Sequence, residues 1–387
     1  MFLLDEVTVG ISAVVLFIAV ISPFVNLLVS RLRDSSADEE DEGETAVEAQ
    51  NPGISVVMTV DDEVEDLKVS LPALLKQKYE GDFQIIVVAC GNNPVIEDTL
   101  KMYSEDKHLY TTFIPASSRY MSRKKLAVTL GVKAAKDEWI MMTDVDCCPV
   151  SETWLAEMSG NCTEDNGLVV GFSSFEDDYK ASRRFDHVYM LYRQLRAAQK
   201  GNAWGYCGNN LMFRKSSFIS GKGYDGNLKY VRGEYDFLVN KYSGEMNVAV
   251  ELSPDSRIVE TELTDRGWRN KCLYYMAIRK KLNRSRMPRF MFNLTMAMMA
   301  LGYVLPLLAA AFSVLTENYI LLAVSVVSLL VAMILRSVVL SKSLGKYIED
   351  MSVVRMLFLE MTLPLRNAAR LMKYMSTDKY DFICHKV

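Results

Sequence analysis

The sequence lacks the short motifs that mark several common protein classes. No Gly-x-Gly-x-x-Gly follows the first predicted strand and no Gly-x-x-x-x-Gly-Lys-Ser/Thr occurs anywhere, which excludes dinucleotide-binding dehydrogenases and P-loop NTPases. The seven cysteines form no Cys-x-x-Cys pair, and their odd number argues against a disulfide framework. Three scattered histidines are too few for a His-rich metal centre. Reduced thiols of this kind are typical of cytoplasmic protein.

A large net charge is also missing. The 387 residues carry a formal net charge of -4, which is too small to indicate a nucleic-acid partner. Residues 34–48 contain eight acidic side chains and no basic one, so the rest of the chain has a net charge of +4. This composition predicts an acidic, disordered linker over residues 31–52. The basic remainder suits a protein that works beside an anionic membrane leaflet.

Long hydrophobic runs, by contrast, are present. Half of the residues are hydrophobic, and the mean hydropathy is +0.06. Residues 9–29 carry no charge and have the length of about 20 residues that a membrane-spanning helix needs. Residues 290–314 and 319–335 form two further runs that predict a transmembrane hairpin over residues 286–341. Buried core helices are the alternative, although uncharged runs above about 18 residues are rare in soluble domains.

Basic residues flank these runs on one side. Arg31 and Arg33 follow the first run, a cluster of six arginines and lysines over residues 279–289 precedes the hairpin, and Lys342 and Lys346 follow it. The positive-inside rule then predicts a cytoplasmic (inner) membrane protein with its N-terminus outside and its large middle segment in the cytoplasm. Because no basic n-region or Ala-x-Ala-like cleavage site accompanies the first run, we expect residues 1–30 to be a retained anchor.

Between the hydrophobic runs, strand patterns alternate with helix patterns. Buried strands are predicted at residues 54–60, 83–89, 109–115 and 139–143, and helices at residues 62–77 and 122–136. This alternation is typical of a Rossmann-like α/β domain with a mostly parallel sheet, which we predict over residues 53–285. Such sheets bind ligands beyond the carboxyl ends of their strands.

Two carboxylates follow the fourth predicted strand. Asp144 and Asp146 are two residues apart, so we expect both at the carboxyl edge of the sheet. Mg²⁺ or Mn²⁺ held by one or two carboxylates and by substrate phosphates suits this pattern, and such an ion neutralises charge on a departing diphosphate. An acidic pair that only caps a helix is the alternative. Cys147 and Cys148 are interpreted as packing residues, because adjacent cysteines do not easily converge on one metal.

A second acidic cluster, Glu234 and Asp236, opens a predicted helix. Acidic side chains in a first helical turn stabilise the helix dipole, which is one interpretation. In the other, one of these carboxylates faces the first cluster and deprotonates an acceptor hydroxyl group.

Four segments together resemble the motifs of family 2 glycosyltransferases with the GT-A fold, above all the membrane-anchored bacterial members. The resemblance covers roughly residues 53–284, with the motifs in the family's order. The first segment combines a lysine-bearing helix, a strand and an Asp-x-Asp loop, and the second is similar to an acceptor-side Gly-Asn-Leu-x-x-Arg segment. The third resembles the family's acidic motif and the fourth its Trp-x-Gln-Lys or Gln-x-x-Arg-Trp motif. The segments are residues 118–155, 205–224, 232–242 and 268–271.

The resemblance implies that the chain moves a sugar from a nucleotide diphosphate-sugar with inversion at the anomeric carbon, using Mg²⁺ or Mn²⁺. It implies a metal site at Asp144 and Asp146 and a general base at Asp236, with Glu234 as the rival. Donor contacts are implied for Asp61, Asp62, Lys124, Lys125 and Asp144, and acceptor contacts for Asn210 and Trp268.

The chain departs from the family pattern at three places. Ala89-Cys90-Gly91 stands where relatives carry aspartates that read the base or ribose, and Tyr235 replaces the middle carboxylate of the acidic motif. Tyrosine needs a strongly lowered pKa to act as a base. Asn270, Cys272 and Leu273 replace the Gln and Arg of the last motif. The loss of that motif and the presence of only three predicted spans favour single addition over polymerisation.

The C-terminal segment is amphipathic and basic. Residues 347–375 place Met356, Leu357 and Leu363 against Arg366 and Arg370, and Pro364 is expected to divide the segment into two helices. We expect a cytoplasmic tail over residues 342–387 that lies in the membrane interface, where it would hold the site beside a lipid-linked acceptor. A core-packing helix is the alternative.

The sequence therefore predicts a membrane-bound inverting glycosyltransferase that adds one sugar, from a UDP-sugar by preference, to a lipid-linked or surface-polysaccharide acceptor. The alternative is a non-catalytic membrane scaffold that binds nucleotide-sugar or a partner enzyme, which the altered Ala89-Cys90 and Tyr235 positions suggest. A nucleotidyltransferase would need a Gly-rich basic loop after the first strand, whereas the chain has Asp61 and Asp62 there. The sequence does not indicate an oligomeric state.

Overall fold

The computed structural model describes residues 5–33, 51–90, 93–114, 122–177, 179–261 and 263–384, except for the side chains of Leu27 and Cys90. The chain forms two compact units. The α/β unit comprises residues 33–179, 194–283 and 373–387, and the helical unit comprises residues 1–32, 180–193 and 284–372. These units do not coincide with the predicted limits 53–285, because residues 180–193 belong to the helical unit. The predicted acidic linker lies mostly outside the described residues.

The bounds of the strands and helices are as follows. The strands are β1 (Ile54–Val60), β2 (Phe83–Cys90), β3 (Leu109–Ile114), β4 (Trp139–Asp144), β5 (Cys147–Pro149), β6 (Asn166–Val170), β7 (Ser173–Phe175), β8 (Leu211–Arg214), β9 (Asn247–Val250) and β10 (Ile258–Glu260). The helices are α1 (Glu6–Ile21), α2 (Val64–Leu75), α3 (Pro94–Lys101), α4 (Arg123–Ala134), α5 (Trp154–Ser159), α6 (Ala181–Gln199), α7 (Lys215–Ser220), α8 (Glu234–Tyr242), α9 (Asp265–Ile278), α10 (Arg286–Leu315), α11 (Tyr319–Leu344) and α12 (Val353–Met375).

The α/β unit is built on a seven-stranded sheet in the order β3-β2-β1-β4-β8-β6-β9. All neighbouring strands are parallel except β8, which runs antiparallel to β4 and β6. All seven residues of β1 are buried, as expected for a central parallel strand covered on both faces. The predicted α/β class with a mostly parallel sheet is therefore confirmed.

A second, three-stranded sheet has the order β5-β10-β7, and its strand β5 directly follows the Asp144–Asp146 segment in the chain. Its register pairs Glu260 with Cys147, and the amide of Thr261 donates to the carbonyl of Asp146 at 2.8 Å. The sheet therefore brings Glu260 close to Asp146, although 114 positions separate them in the numbering.

The helical unit contains two helices that are long and apolar enough to cross a membrane, α10 and α11. They confirm the predicted pair of apolar C-terminal helices, whereas their crossing of a membrane stays a prediction. Asn318 caps the start of α11, and its side chain also donates to Thr8 of α1 at 2.8 Å. Gly302 of α10 permits a close approach to the segment after α1, because a Cβ there would lie 2.4 Å from Oγ of Ser22.

The N-terminal run differs from its prediction. Residues 9–29 do not form one spanning helix, because α1 ends at Ile21 and is followed by turns and a short 3₁₀ helix, Leu27–Val29. Pro23 has no amide hydrogen to donate, and its ring disfavours continuation of an α-helix. With 16 residues, α1 is about 24 Å long and shorter than a hydrocarbon core of about 30 Å.

The C-terminal helix also differs from its prediction. Pro364 lies inside the continuous helix α12 and does not divide the segment. A proline removes one backbone hydrogen bond, but the turn around it is held by packing, since Glu360 and Leu363 are both buried. Glu360 pairs with Arg336 of α11 at 3.3 Å inside the helical unit, so part of α12 faces protein.

Candidate active site

The centre of the site is Asp144, the last residue of β4. Nζ of Lys124, on α4, lies 2.7 Å from its Oδ2, and the hydroxyl group of Tyr235, on α8, donates to its Oδ1 at 3.0 Å. The carboxylate is therefore held from two sides by two helices. Both of its oxygens already have a partner.

Charge pairing decides the ionisation of these groups. Burial by itself would raise the pKa of Asp144, but Lys124, Arg232 and the Tyr235 hydrogen bond outweigh burial and lower it. Burial would lower the pKa of Lys124, but the carboxylates of Asp144 and Glu234 raise it. The pair is consequently ionised on both sides at neutral pH.

Asp146 has a different environment. Its pKa is raised to about 7 by burial and by the neighbouring carboxylates of Glu260 and Asp144. Glu260 is itself paired with Lys271, whose Nζ lies 2.7 Å and 2.5 Å from the two carboxylate oxygens. The Asp146 carboxylate makes no ion pair within the described part of the chain. A cation beside it would relieve repulsion among three acidic groups.

This donor set fits a divalent metal through Asp146. The oxygens of Asp144 are engaged by Lys124 and Tyr235, and no group of three or more His, Cys, Asp or Glu within the described ranges could hold a metal alone. Mg²⁺ and Mn²⁺ sites need only one or two carboxylates when substrate phosphates supply further oxygens. The chemistry of the residues present therefore suits an ion shared between Asp146 and a diphosphate.

The prediction that Lys125 contacts the donor needs a correction. Its side chain is fully buried, and its Nζ donates to the carbonyls of Asn227, Tyr230 and Arg232 at 2.5–3.2 Å. The amine therefore holds the loop before α8 in place. Neighbouring helical positions point in directions about 100° apart, which explains why Lys124 reaches the site and Lys125 does not.

The prediction that Asn210 contacts the acceptor also needs a correction. It is fully buried, and its side-chain amide bonds to the Trp154 indole and to the carbonyls of Phe172 and Ser256. These bonds tie β8 to its surroundings and leave the side chain no contact with an acceptor. Asn209, next to it, instead donates towards Glu260 at 3.3 Å.

The two candidate bases are both buried in the first turn of α8. Oδ1 of Asp236 accepts the amide hydrogen of Tyr206 at 3.0 Å, and Asp236 is 7% exposed. Glu234 is 4% exposed, and its Oε1 has no hydrogen-bond partner among the described residues. Tyr235, between them, is the residue whose side chain reaches Asp144.

The remaining predicted residues lie at the ends of other elements. Asp61 directly follows β1, and its carboxylate pairs with Arg123 at 2.7 Å, while burial raises its pKa against the effect of that arginine. Asp62 is exposed. Trp268, on α9, packs edge-on against Phe175 with ring centroids 5.9 Å apart. The side chain of Cys90 and the adjoining Gly91 lie outside the described residues.

Three residues near the site were not among the predicted site residues. Glu260 lies on a short strand without a motif, and only the sheet register shows that it is close to Asp146. Lys271 ends the fourth motif segment, residues 268–271, and its ion pair with Glu260 brings it to the site. Arg232 is exposed, and its charge acts on both Asp144 and Asp146. In the sequence, the position of Arg232 directly before Gly233 and the acidic cluster could have indicated that it lies near the site.

Comparison with known proteins found similar chains. The model of glycosyl transferase family 2 matches residues 55–221, which include β4 and the Asp144–Asp146 segment. Among solved structures, the chain is similar to a mannosyltransferase from Pyrobaculum calidifontis in complex with GDP-Man and Mn²⁺. The two are 14% identical with a TM-score of 0.51, and the match covers 84% of this chain and 98% of that one. No curated protein matches the sequence. Residues 55–221 of the α/β unit therefore match glycosyl transferase family 2, and the chain shares the fold of this mannosyltransferase.

Proposed function

We propose that the protein is a membrane-bound inverting glycosyltransferase that transfers a single sugar from a nucleotide diphosphate-sugar, by preference a UDP-sugar. The proposed acceptor is lipid-linked or a surface polysaccharide. The observation that carries the proposal is the arrangement around Asp144, with Lys124 and Tyr235 holding it and Asp146 beside it at the carboxyl edge of a family 2 domain.

The proposed donor site uses this edge of the sheet. Asp146 would bind Mg²⁺ or Mn²⁺, and a bound ion supplies neutralisation of the diphosphate as the sugar leaves. Lys124 adds a positive charge that Asp144 keeps in place, and Asp61 and Asp62 at the end of β1 would contact the nucleoside. Support for these roles comes from the Lys124–Asp144 distance of 2.7 Å and from the burial and like charges that surround Asp146.

On the acceptor side, Trp268 is partly exposed, and its ring would stack against the acceptor or the sugar. For an acceptor hydroxyl group, the general base assigned from the family resemblance is Asp236, with Glu234 as the alternative. Both carboxylates are buried in the first turn of α8.

The membrane part of the proposal rests on the helical unit. Only 33% and 22% of the most apolar windows of α10 and α11 are buried inside the chain, so their apolar side chains need another nonpolar environment. On α12, Val354, Phe358 and Leu365 are exposed by 63–78% at helical spacing, which favours the membrane interface for this face. The basic flanks support a cytoplasmic catalytic domain with the N-terminus outside.

One experiment tests the proposal. Full-length protein is incubated with a panel of UDP- and GDP-sugars, with and without Mn²⁺, and release of nucleotide diphosphate is measured. We expect metal-dependent consumption of at least one donor, which Asp146→Asn abolishes. As the matched control, Asp98→Asn removes an exposed carboxylate of α3 and retains turnover. Failure of the wild type to consume any donor would favour the scaffold alternative, which the occupation of the acidic-motif position by Tyr235 supports.

A further inference from the structure

We propose that the C-terminal residues 382–384 are a positioning element of the active site, which holds the segment before α8 so that Tyr235 meets Asp144. This inference rests on the proposed function, because it concerns the same site. It follows from two structural features, the engagement of every backbone carbonyl of residues 227–232 and the pairing of this segment with residues 382–384.

The first feature is the backbone of residues 227–232, which lie between α7 and α8 and outside the named helices and strands. Lys125 donates from its Nζ to three carbonyls of this segment at 2.5–3.2 Å. Ser122, at the start of α4, donates to two more, through its amide at 3.2 Å and its hydroxyl group at 2.9 Å. The five acceptors are Asn227, Leu228, Tyr230, Val231 and Arg232. A loop whose carbonyls are engaged in this way is fixed in one conformation.

The second feature is the contribution of the C-terminal residues. The sixth carbonyl of the segment, that of Lys229, accepts the amide hydrogen of Cys384 at 2.8 Å. In return, the amide of Val231 donates to the carbonyl of Phe382 at 3.1 Å. An antiparallel bridge joins the two residues that lie between these pairs. The C-terminal residues therefore extend along the segment as a short antiparallel partner.

A buried aromatic ring anchors this partner. Phe382 is 6% exposed, and its ring centroid lies 5.6 Å from those of Tyr274, on α9, and of Tyr374, at the end of α12. Leu273 and Met276 belong to the same hydrophobic cluster. Because an aromatic side chain buries a large apolar area, the ring is the main attachment of residues 382–384 to the α/β unit.

Electrostatic effects place the C-terminal residues beside the acidic cluster. Burial raises the pKa of the Cys384 thiol, the charge of Lys125 lowers it, and the carboxylate of Glu234 raises it. These interactions weaken with distance, so Cys384 lies near the first turn of α8 as well as near the lysine that holds the segment.

The segment determines where α8 begins. Residues 227–232 run directly into Gly233, whose φ of +96° turns the chain into the helix. Two residues later, Tyr235 donates its hydroxyl hydrogen to Asp144 at 3.0 Å. An error of about 1 Å in the position of a group in an active site can lower the rate about 10²-fold. Residues 382–384 thus act on the site through the backbone, without contact with a substrate.

The first test measures how firmly the segment is held, by amide hydrogen exchange of full-length protein in detergent. Phe382→Ala removes the ring from its cluster, and we expect the amides of residues 227–236 to exchange at least about tenfold faster while β1 and β4 keep their protection. Tyr380→Ala is the matched control, because this aromatic side chain of the C-terminal segment is 59% exposed. It is expected to leave exchange unchanged.

The second test removes a single hydrogen bond. Proline has no amide hydrogen, so Cys384→Pro deletes the donor to Lys229, and the extended conformation of Ile383 permits a proline after it. Cys384→Ala keeps the amide and separates the loss of this bond from the loss of the thiol.

Turnover is then measured with a donor that the wild type consumes. We expect kcat to fall roughly 10- to 100-fold in Phe382→Ala and roughly three- to tenfold in Cys384→Pro, and to stay within about twofold of the wild type in Cys384→Ala and Tyr380→Ala. Mn²⁺ affinity is expected to stay within about twofold in all four variants, because Asp146 follows β4 and lies outside the held segment.

Three results would overturn the inference. Unchanged exchange over residues 227–236 in Phe382→Ala would show that the C-terminal residues do not hold the segment. Faster exchange with unchanged kcat would show that the segment does not position the site, and would leave the proposed function standing. Loss of protection throughout the α/β unit, with weaker Mn²⁺ binding in both Phe382→Ala and Cys384→Pro, would assign residues 382–384 to stability alone.

Failure of the proposed function gives a different result. If the wild type consumes no donor, that function is contradicted, and the catalytic role inferred for residues 382–384 is contradicted with it. The exchange experiment needs no turnover, so it still decides whether these residues hold the segment before α8.

Discussion

The hydroxyl group of Tyr235 donates a hydrogen bond to Asp144 across 3.0 Å, joining the start of α8 to the end of β4. Lys124 holds the other oxygen of the same carboxylate. Asp144 is therefore a fixed, ionised group whose oxygens are both in use. Asp146, two residues later and surrounded by like charge, is left as the carboxylate that suits a metal ion.

Replacing Tyr235 tests this orienting contact. Tyr235→Phe keeps the ring but removes the hydrogen bond to Asp144, which is worth about 1.5–3 kcal/mol for a charged acceptor. We expect a fall in kcat/KM of roughly 10- to 150-fold, with the donor affinity affected more than the acceptor affinity. Steady-state kinetics with each substrate varied would show this. A loss as large as 10³-fold would instead assign Tyr235 a direct part in the chemistry.

Metal binding is expected to depend on Asp146. We expect Mn²⁺ and nucleotide diphosphate to bind together to the wild type, and Asp146→Asn to weaken Mn²⁺ binding at least tenfold without unfolding the domain. Electron paramagnetic resonance of Mn²⁺ measures binding without turnover, and thermal unfolding measures integrity. Unchanged Mn²⁺ affinity in Asp146→Asn would remove Asp146 from the metal site.

Asp236→Asn distinguishes a buried structural carboxylate from a general base. The amide oxygen can still accept the Tyr206 hydrogen bond, so we expect the fold and the thermal midpoint to be kept. Loss of a general base costs about 10²- to 10⁴-fold, so we expect kcat to fall within that range. A fall of less than about tenfold would assign Asp236 a structural role and leave Glu234 as the candidate base.

Lys125 should make stability depend on pH. Burial lowers its pKa from 10.5 to about 8 in the folded protein, so between these pH values the unfolded chain binds more protons than the folded one. The contribution of Lys125 to the free energy of unfolding therefore rises by about 3 kcal/mol as pH increases from 8 to 10.5.

The measurement compares denaturant unfolding of the wild type and Lys125→Met across this pH range. The difference between their unfolding free energies isolates the lysine, because tyrosines and cysteines titrate in both proteins. Lys133→Met, at an exposed position of the same helix, serves as the control and should show no such difference. Parallel curves for wild type and Lys125→Met would contradict the prediction.

The buried Arg336–Glu360 pair makes a prediction about the helical unit. Arg336→Met alone leaves Glu360 buried and without its cation, which should cost about 3–5 kcal/mol. The double variant Arg336→Met with Glu360→Met removes both charges and should recover most of that loss. Thermal unfolding in detergent would test the cycle, and additive losses would show that the two side chains are not coupled.

Much of the α/β unit was predictable from local patterns. The predicted strand at residues 54–60 matches β1, and residues 139–143 fall one short of β4, because apolar runs bounded by turns reflect burial on both faces of a parallel sheet. The two apolar helices α10 and α11 were likewise predicted from hydropathy. By contrast, α1 ends before Pro23, whose ring disfavours a continued helix, and α12 continues through Pro364 because packing holds that turn. Hydrophobic periodicity encodes neither outcome.

The sequence by itself determined the fold class, the family and the position of Asp144 and Asp146 at a strand end, because period, hydropathy and motif order are local properties of the chain. Only the tertiary structure decided which side chains meet there. It turned Lys124 towards Asp144 and Lys125 into the protein, buried Asn210, and brought Tyr235 and Glu260 to the two aspartates. These outcomes depend on helix phase, sheet register and competition for hydrogen bonds among residues far apart in the chain, and such long-range choices leave no short-range pattern in the sequence.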